Sequence, residues 1–173
     1  LAARGRGYRS RNIVVWKDEV RAGRVPQVSW ICATSSGCEH PAGASPAQGA
    51  AYTAQVLDAL TADPQVWSKT VLIVNFDEND GFFDHVPPPA PPAREARSGA
   101  STVDTKGEYH LVRASSEAPA ERDDLMGRPY GLGPRVPMCV ISPWSRGGWV
   151  NSQVFDHPPV IRFLQRRFGV HEP

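Results

Sequence analysis

The spacing of apolar residues changes along the chain between a helical pattern and an extended one. Residues 12–22 and 49–62 carry apolar side chains three and four positions apart, which predicts two amphipathic helices. Residues 70–76 form a continuous apolar and β-branched run, typical of a strand buried on both faces of a parallel sheet. We also predict a strand over residues 26–32, a strand over residues 136–142, and a last helix over residues 154–168 that starts at Pro158-Pro159. Helices followed by strands indicate an α/β fold.

Between the two apolar runs the pattern is lost over a long stretch. Residues 87–92 contain five prolines in six positions, so the chain must leave the sheet there as an extended loop. Residues 93–134 are rich in Arg, Glu, Ser, Gly and Pro and show little periodicity. A loop of that length is typical of a functional lid or a disordered insertion.

Composition narrows the class of protein. The 173 residues carry 19 Lys and Arg against 18 Asp and Glu, so a net charge of +1 gives no support for nucleic-acid binding. Their apolar content is 40%, which is enough for a packed core. The three cysteines of the chain have no CxxC spacing. Cys32 and Cys38 could form a disulfide or could be buried free thiols. The first residue is Leu, which leads us to expect a fragment.

The segment after the 70–76 run carries most of the chemistry. It reads Asp77-Glu78-Asn79-Asp80-Gly81-Phe82-Phe83-Asp84-His85. Carboxylates at the carboxyl end of a buried strand lie where open α/β sheets bind ligands, and hard divalent cations prefer oxygen ligands. Asp77 and Glu78 are therefore candidate metal ligands. The alternative is that Asp77 caps a turn and that Glu78, Asp80 and Asp84 are solvated loop charges, with Gly81 supplying a positive φ.

Two histidines lie where they could reach the same edge of the sheet. His40 follows the predicted strand that ends near Ala33, and His157 follows the predicted strand that ends near Ser142. A phosphoryl-transfer site needs cations and hydrogen-bond donors for the phosphoryl oxygens and an acid for the leaving oxygen. Each histidine could instead be a hydrogen-bonded structural residue.

Taken together, several segments resemble the bacterial phosphocholine-preferring phospholipases C, and the proline tract is most similar to the mycobacterial branch. The resemblance covers most of the chain from about Val20. It is carried by the segments Pro26-Gln27-Val28-Ser29-Trp30, Glu39-His40-Pro41, residues 77–88, Gly133-Pro134-Arg135, Ser142-Pro143-Trp144 and Phe155-Asp156-His157.

This resemblance implies a phosphoesterase, related to acid phosphatases, that hydrolyses phosphatidylcholine to diacylglycerol and phosphocholine. It implies an alkaline-phosphatase-like three-layer α/β sandwich with a mostly parallel sheet, of which this chain holds part. Asp77 and Glu78 match the family's acidic pair at the metal site, with a divalent cation of unknown identity as the cofactor. His40 matches an active-site histidine and His157 a catalytic or supporting one. Trp144 and Trp149 are candidates for cation–π contact with choline, or for core packing.

The family's early Glu-Asn pair and its Ser or Thr nucleophile match nothing in this chain. We therefore expect residues 12–173 to be the carboxyl-terminal portion of a catalytic domain, with a loop insertion at 87–134 and a poorly matching segment at 1–11, and to have little activity alone. By resemblance, we expect a secreted or cell-wall-associated enzyme that contacts a membrane surface and acts on phosphatidylcholine or also sphingomyelin. A phosphomonoesterase, and a binding module that uses the proline tract, are the alternative functions.

Overall fold

The computed structural model describes residues 12–92, 100–110 and 125–170. Within them the chain forms four helices and two strands. In chain order these are α1 (Ile13–Arg21), α2 (Pro46–Thr61), α3 (Pro64–Trp67), β1 (Leu72–Asn75), β2 (Met138–Ile141) and α4 (Pro158–Phe168). The mixed helix and strand content fits the coarse α/β prediction. Among the described residues, none of the helices has the length and hydropathy of a membrane-spanning segment.

Three of these helices confirm the predicted periodicity, and their ends have local causes. The Asn12 side chain accepts a hydrogen bond from the Val15 amide and begins α1. At the start of α2, Ser45 and Gln48 form a capping box, in which each side chain accepts a hydrogen bond from the backbone amide of the other. The left-handed Gly169 ends α4. Helix α3 has four residues, too few for a periodic pattern to predict it.

The described core is small and lies between α1 and α2. Val20 is fully buried and packs in a cluster that also contains Trp16, Val56, Ala59 and Leu60. Because these residues come from the apolar faces of two helices, their burial gives the helices a tertiary reason to form. Partly buried Leu72 of β1 packs against the same cluster.

The sheet differs from the expected one. Strands β1 and β2 pair antiparallel, with Leu72 opposite Ile141 and Asn75 opposite Met138. Residues 72–74 of β1 are half-buried and Asn75 is exposed, so the predicted burial of this strand on both faces is not observed. In β2, Met138 and Val140 are 41% and 46% exposed. A run of apolar residues predicts that a strand is buried, but it does not determine whether the partner strand runs parallel or antiparallel. The expected parallel pairing was therefore wrong for this pair.

The strand predicted over residues 26–32 is not observed, and this segment has no regular secondary structure. Pro26 lacks an amide hydrogen for a ladder, and Trp30, one of the alternating apolar residues, is 67% exposed. An alternating pattern predicts a strand only when one face of it is covered.

Two compact units divide the chain. The first contains the described residues up to Asp80 together with Pro137–Trp149, and therefore holds α1 to α3 and both strands. The second contains the described residues of Gly81–Val136 and those from Val150 onward, including α4. Cys32, Cys38 and Cys139 are free and exposed, so of the two alternatives for the cysteines neither the disulfide nor burial is observed.

The second unit includes the described part of the long loop. Residues 87–92 form neither helix nor strand, as the prolines predict. Tyr109 is buried, and its hydroxyl donates a hydrogen bond to the Pro92 carbonyl at 2.8 Å. An isolated bridge joins Tyr109 to Pro129, and the rings of His110 and Tyr130 lie 3.9 Å apart. These contacts tie described parts of the loop to one another.

Candidate active site

The acidic segment begins directly after β1. Asp77 and Glu78 are the second and third residues after the end of the strand, and both are exposed. The Glu78 amide donates a hydrogen bond to Asp77 Oδ1 at 3.2 Å. The chain then turns through Asp80 at φ 51° and Gly81 at φ 79°, so the predicted role of Gly81 in a positive-φ turn is confirmed. Strand β1 thus presents two carboxylates to solvent at its carboxyl end.

His40 lies beside this acidic segment. Its Nε2 atom is 3.8 Å from Asp80 Oδ1, and its Nδ1 atom accepts a hydrogen bond from the Ala42 amide at 3.3 Å. The strand expected to deliver His40 is absent. A loop anchored on α2 carries it instead: Gly37 lies against the Tyr52 ring, and the Glu39 side chain occupies the space beside Gly49. The sequence pattern indicated His40 but not its partner, Asp80.

His157 belongs to the second unit. It occupies the position before α4, and Pro158 and Pro159 begin the helix directly after it. Its side chain makes no hydrogen bond that caps the helix. The described structure therefore places His157 at a helix start, whereas His40, Asp77 and Glu78 belong to the first unit.

Trp144 and Trp149 lie in the loop after β2. Ser142 Oγ accepts hydrogen bonds from the amides of Trp144 and Ser145, at 3.2 and 3.0 Å, and this turn fixes the start of the loop. The side chains are 64% and 88% exposed. The alternative that these tryptophans pack in the core is therefore wrong for the described chain.

The donors present suit a hard cation but do not form a complete cluster. Among the described residues there is no group of three or more His, Cys, Asp and Glu side chains that could hold a metal ion. Asp77 and Glu78 supply carboxylate oxygens, the donor type that Mg²⁺ and Ca²⁺ prefer. They amount to two candidate ligands, fewer than a protein-bound divalent cation normally has.

An ion pair in the second unit is the clearest feature that the sequence pattern does not indicate. Arg135 binds Asp84 through Nε at 2.6 Å and Nη2 at 2.9 Å, and its own amide donates to the same carboxylate at 3.2 Å. Hydrogen bonds from Arg135 are the main cause that holds the pKa of Asp84 well below its ordinary value. The alternative of a solvated Asp84 is wrong, since its side chain is 11% exposed. The signal available was Arg135 itself, within the Gly133-Pro134-Arg135 segment.

Comparison with known proteins defines the class to which the chain belongs. The model of the phosphoesterase family matches residues 4–171, and the chain is a member of that family.

Individual relatives carry more specific names. The chain is 58% identical over 162 residues to a non-hemolytic phospholipase C of Pseudomonas aeruginosa, covering 91% of this chain and 22% of that protein. It is 53% identical to the non-hemolytic phospholipase C of Burkholderia pseudomallei, covering 90% of this chain and 21% of the relative. It is 44% identical to phospholipase C A of Mycobacterium tuberculosis, covering 90% and 27%. The resemblance to bacterial phospholipases C is confirmed, and the chain spans about a quarter or less of the length of these relatives.

Proposed function

We propose that this chain is part of the catalytic domain of a phospholipase C, which hydrolyses phosphatidylcholine to diacylglycerol and phosphocholine. The observation that carries the proposal is the 58% identity to a protein named phospholipase C over 91% of this chain. Support from the geometry comes from His40, which lies against the acidic segment that follows β1. Sphingomyelin is a second candidate substrate with the same phosphocholine headgroup.

Asp77 and Glu78 are proposed to contribute two ligands to a divalent cation, with the remaining ligands supplied by other parts of the complete site. Their exposure at the end of β1 leaves both carboxylates accessible. Such a cation, when bound, supplies positive charge that stabilises the phosphoryl oxygens.

His40 and His157 are proposed as the catalytic histidines, acting on the phosphoryl oxygens or the leaving oxygen. Trp144 and Trp149 are proposed to contact the choline ammonium, because exposed indole faces attract quaternary ammonium groups. The same exposed rings suit contact with a membrane surface, where amphipathic aromatic side chains are enriched. We propose that the protein is secreted or cell-wall associated, where such lipid is accessible.

The finer fold proposal is an alkaline-phosphatase-like sandwich with a mostly parallel sheet. Strands β1 and β2 would then be part of a mixed sheet, since an antiparallel strand at the edge of a parallel sheet is common. The exposed apolar side chains of Met138 and Val140 fit a strand pair that is covered in a larger sheet.

A chimera tests the proposal. In it, this chain replaces the matching 162-residue segment of the Pseudomonas aeruginosa phospholipase C. We expect the chimera to hydrolyse p-nitrophenylphosphorylcholine faster than p-nitrophenyl phosphate, and to release phosphocholine from phosphatidylcholine vesicles. The chain alone is expected to show little of either activity.

The outcomes separate the competing functions. Preference for p-nitrophenyl phosphate would indicate the phosphomonoesterase alternative. A chimera that folds by circular dichroism but hydrolyses neither ester would contradict the proposal and favour the binding module.

A further inference from the structure

His40 has an intramolecular partner at each ring nitrogen. The Ala42 amide donates to Nδ1, so the lone pair of Nδ1 is occupied and the hydrogen of the neutral ring lies on Nε2. Nε2 faces Asp80 Oδ1 at 3.8 Å, which is longer than an ordinary hydrogen bond. The Asp80 carboxylate therefore attracts the N–H without fully satisfying it. Because this separation holds the hydrogen only loosely and 60% of the His40 side chain is exposed, the Nε2 hydrogen can be shared with a second acceptor from solvent or substrate.

The backbone on both sides of this pair is held in an uncommon conformation. Glu39 at φ 68° and Asp80 at φ 51° are the non-glycine residues with positive φ in the part of the chain that the structure describes. Such positions cost free energy and persist where the surroundings enforce them. The Glu39 side chain packs against Gly49 of α2, where an added methyl group would overlap it. Both strained residues adjoin or form the His40–Asp80 pair.

Burial is unequal across the pair. The Asp80 side chain is 16% exposed, whereas that of His40 is 60% exposed. The carboxylate is thus the more buried member of the pair and the imidazole the accessible one.

We propose that Asp80 is a positioning residue that holds His40 as a hydrogen-bond donor, through Nε2–H, to a phosphoryl oxygen of the substrate. This inference rests on the proposed function and decides between two roles for His40. Loss of the Nε2 proton from a ring whose Nδ1 is unprotonated would leave an imidazolate. His40 therefore binds the phosphoryl group and does not protonate the leaving alkoxide.

The first test observes the ring itself in the 173-residue chain labelled with ¹⁵N- and ¹³C-histidine. Its signals are identified by their loss in His40→Gln. We expect the Nε2–H tautomer, together with a ring order parameter that falls in Asp80→Gly and is retained in Asp80→Asn. Both substitutions tolerate positive φ, and only Asp80→Asn keeps a side-chain oxygen acceptor, so a difference between them reports the acceptor and not the backbone turn. Asp58→Asn, on exposed α2 surface, is the matched control. An Nδ1–H tautomer, or a ring equally ordered in Asp80→Gly, would overturn the proposal.

The second test uses the chimera and two leaving groups. If His40 donates a hydrogen bond to the phosphoryl oxygen, His40→Ala should lower the kcat of the chimera about 100-fold. The loss should be similar with p-nitrophenylphosphorylcholine and with phosphatidylcholine. His40→Gln, which keeps an N–H donor, should lose less. If His40 protonates the leaving group, the nitrophenyl ester should be spared, because nitrophenolate leaves without a proton. An inactive unsubstituted chimera would contradict the proposed function alone, while the ring signals would still decide the role of Asp80.

Discussion

Asp84 accepts four hydrogen bonds, three from Arg135 and one from the Val86 amide at 3.2 Å. The two partners are 51 residues apart in the chain. Two parallel guanidinium bonds to one carboxylate fix both the distance and the plane of the contact. This pair therefore joins the end of the acidic motif to the segment that precedes β2, across the whole of the long loop.

Protonation of Asp84 should weaken the pair. Its pKa is depressed in the folded protein, so the stabilisation is present above the ordinary carboxyl pKa and is lost as pH falls below about 4. We predict that the free energy of unfolding of the wild type decreases on acidification in this range. Asp84→Asn should be less stable at pH 7 and should show a shallower decrease. Urea unfolding followed at several pH values measures both quantities.

Arg135→Lys provides the matched comparison, because it keeps the charge but not the planar pair of donors. It should be destabilised at pH 7 in the same direction as Asp84→Asn. If Arg135→Lys matches the wild type at every pH, then charge alone accounts for the contact and the two-bond geometry contributes nothing measurable.

Helices of the described chain could be predicted more fully than its strands. A helix has its hydrogen bonds within one segment, so the spacing of apolar residues and a capping residue such as Ser45 largely determine it. A strand depends on a partner that its own residues do not reveal. The 26–32 segment alternates correctly and forms no strand, while the 136–142 segment forms β2 but pairs in the unexpected direction.

The capping box of α2 should contribute measurably to stability. Gln48 Oε1 accepts from the Ser45 amide at 2.8 Å, and Ser45 Oγ accepts from the Gln48 amide at 3.4 Å. We predict that Ser45→Ala lowers the free energy of unfolding by about 1 kcal/mol, since the Gln48 amide loses its side-chain acceptor and keeps only the Ser45 carbonyl, at 2.9 Å. Ser45→Asp keeps an acceptor and should restore most of the loss in thermal or urea unfolding. Equal destabilisation by Ala and Asp would show that the cap is not the cause.

Packing between α1 and α2 should depend on Val20. This side chain is fully buried, whereas Val14 of the same helix is 62% exposed. We predict that Val20→Ala lowers the free energy of unfolding by about 2 kcal/mol through lost apolar burial and the cavity left behind. Val14→Ala, the same chemical change on the outer face, should stay within about 0.5 kcal/mol of the wild type. Similar losses for the two variants in urea unfolding would contradict the described core.

At the scale of the whole molecule, the described residues contain no complete cluster of metal ligands. The chain spans 22% of the length of the Pseudomonas aeruginosa relative. The acidic motif could be located from the sequence because Asp77 and Glu78 directly follow an apolar run. Asp80 could not be assigned to His40 in the same way, because their contact depends on a loop held by Tyr52 and Gly49 of α2.

Metal dependence should therefore emerge in the chimera and be absent from the isolated chain. Two carboxylates give too few ligands for tight binding of a hard cation, whereas a complete site would add more. We predict that EDTA abolishes hydrolysis of p-nitrophenylphosphorylcholine by the chimera and that an added divalent cation restores it. Asp77→Ala should reduce kcat/KM at least about 100-fold. In calorimetric titration with Mg²⁺ or Ca²⁺, the chain alone should show no tight site.

Asp58→Asn removes an exposed carboxylate from α2 and should leave the metal requirement unchanged, so it controls for general loss of negative charge. Glu78→Gln should raise the cation concentration that gives half-maximal rate, because the amide keeps the shape but weakens the ligand. Full activity of Asp77→Ala in the chimera would remove this residue from the site. Tight binding of one cation by the isolated chain would instead mean that its own residues complete the site.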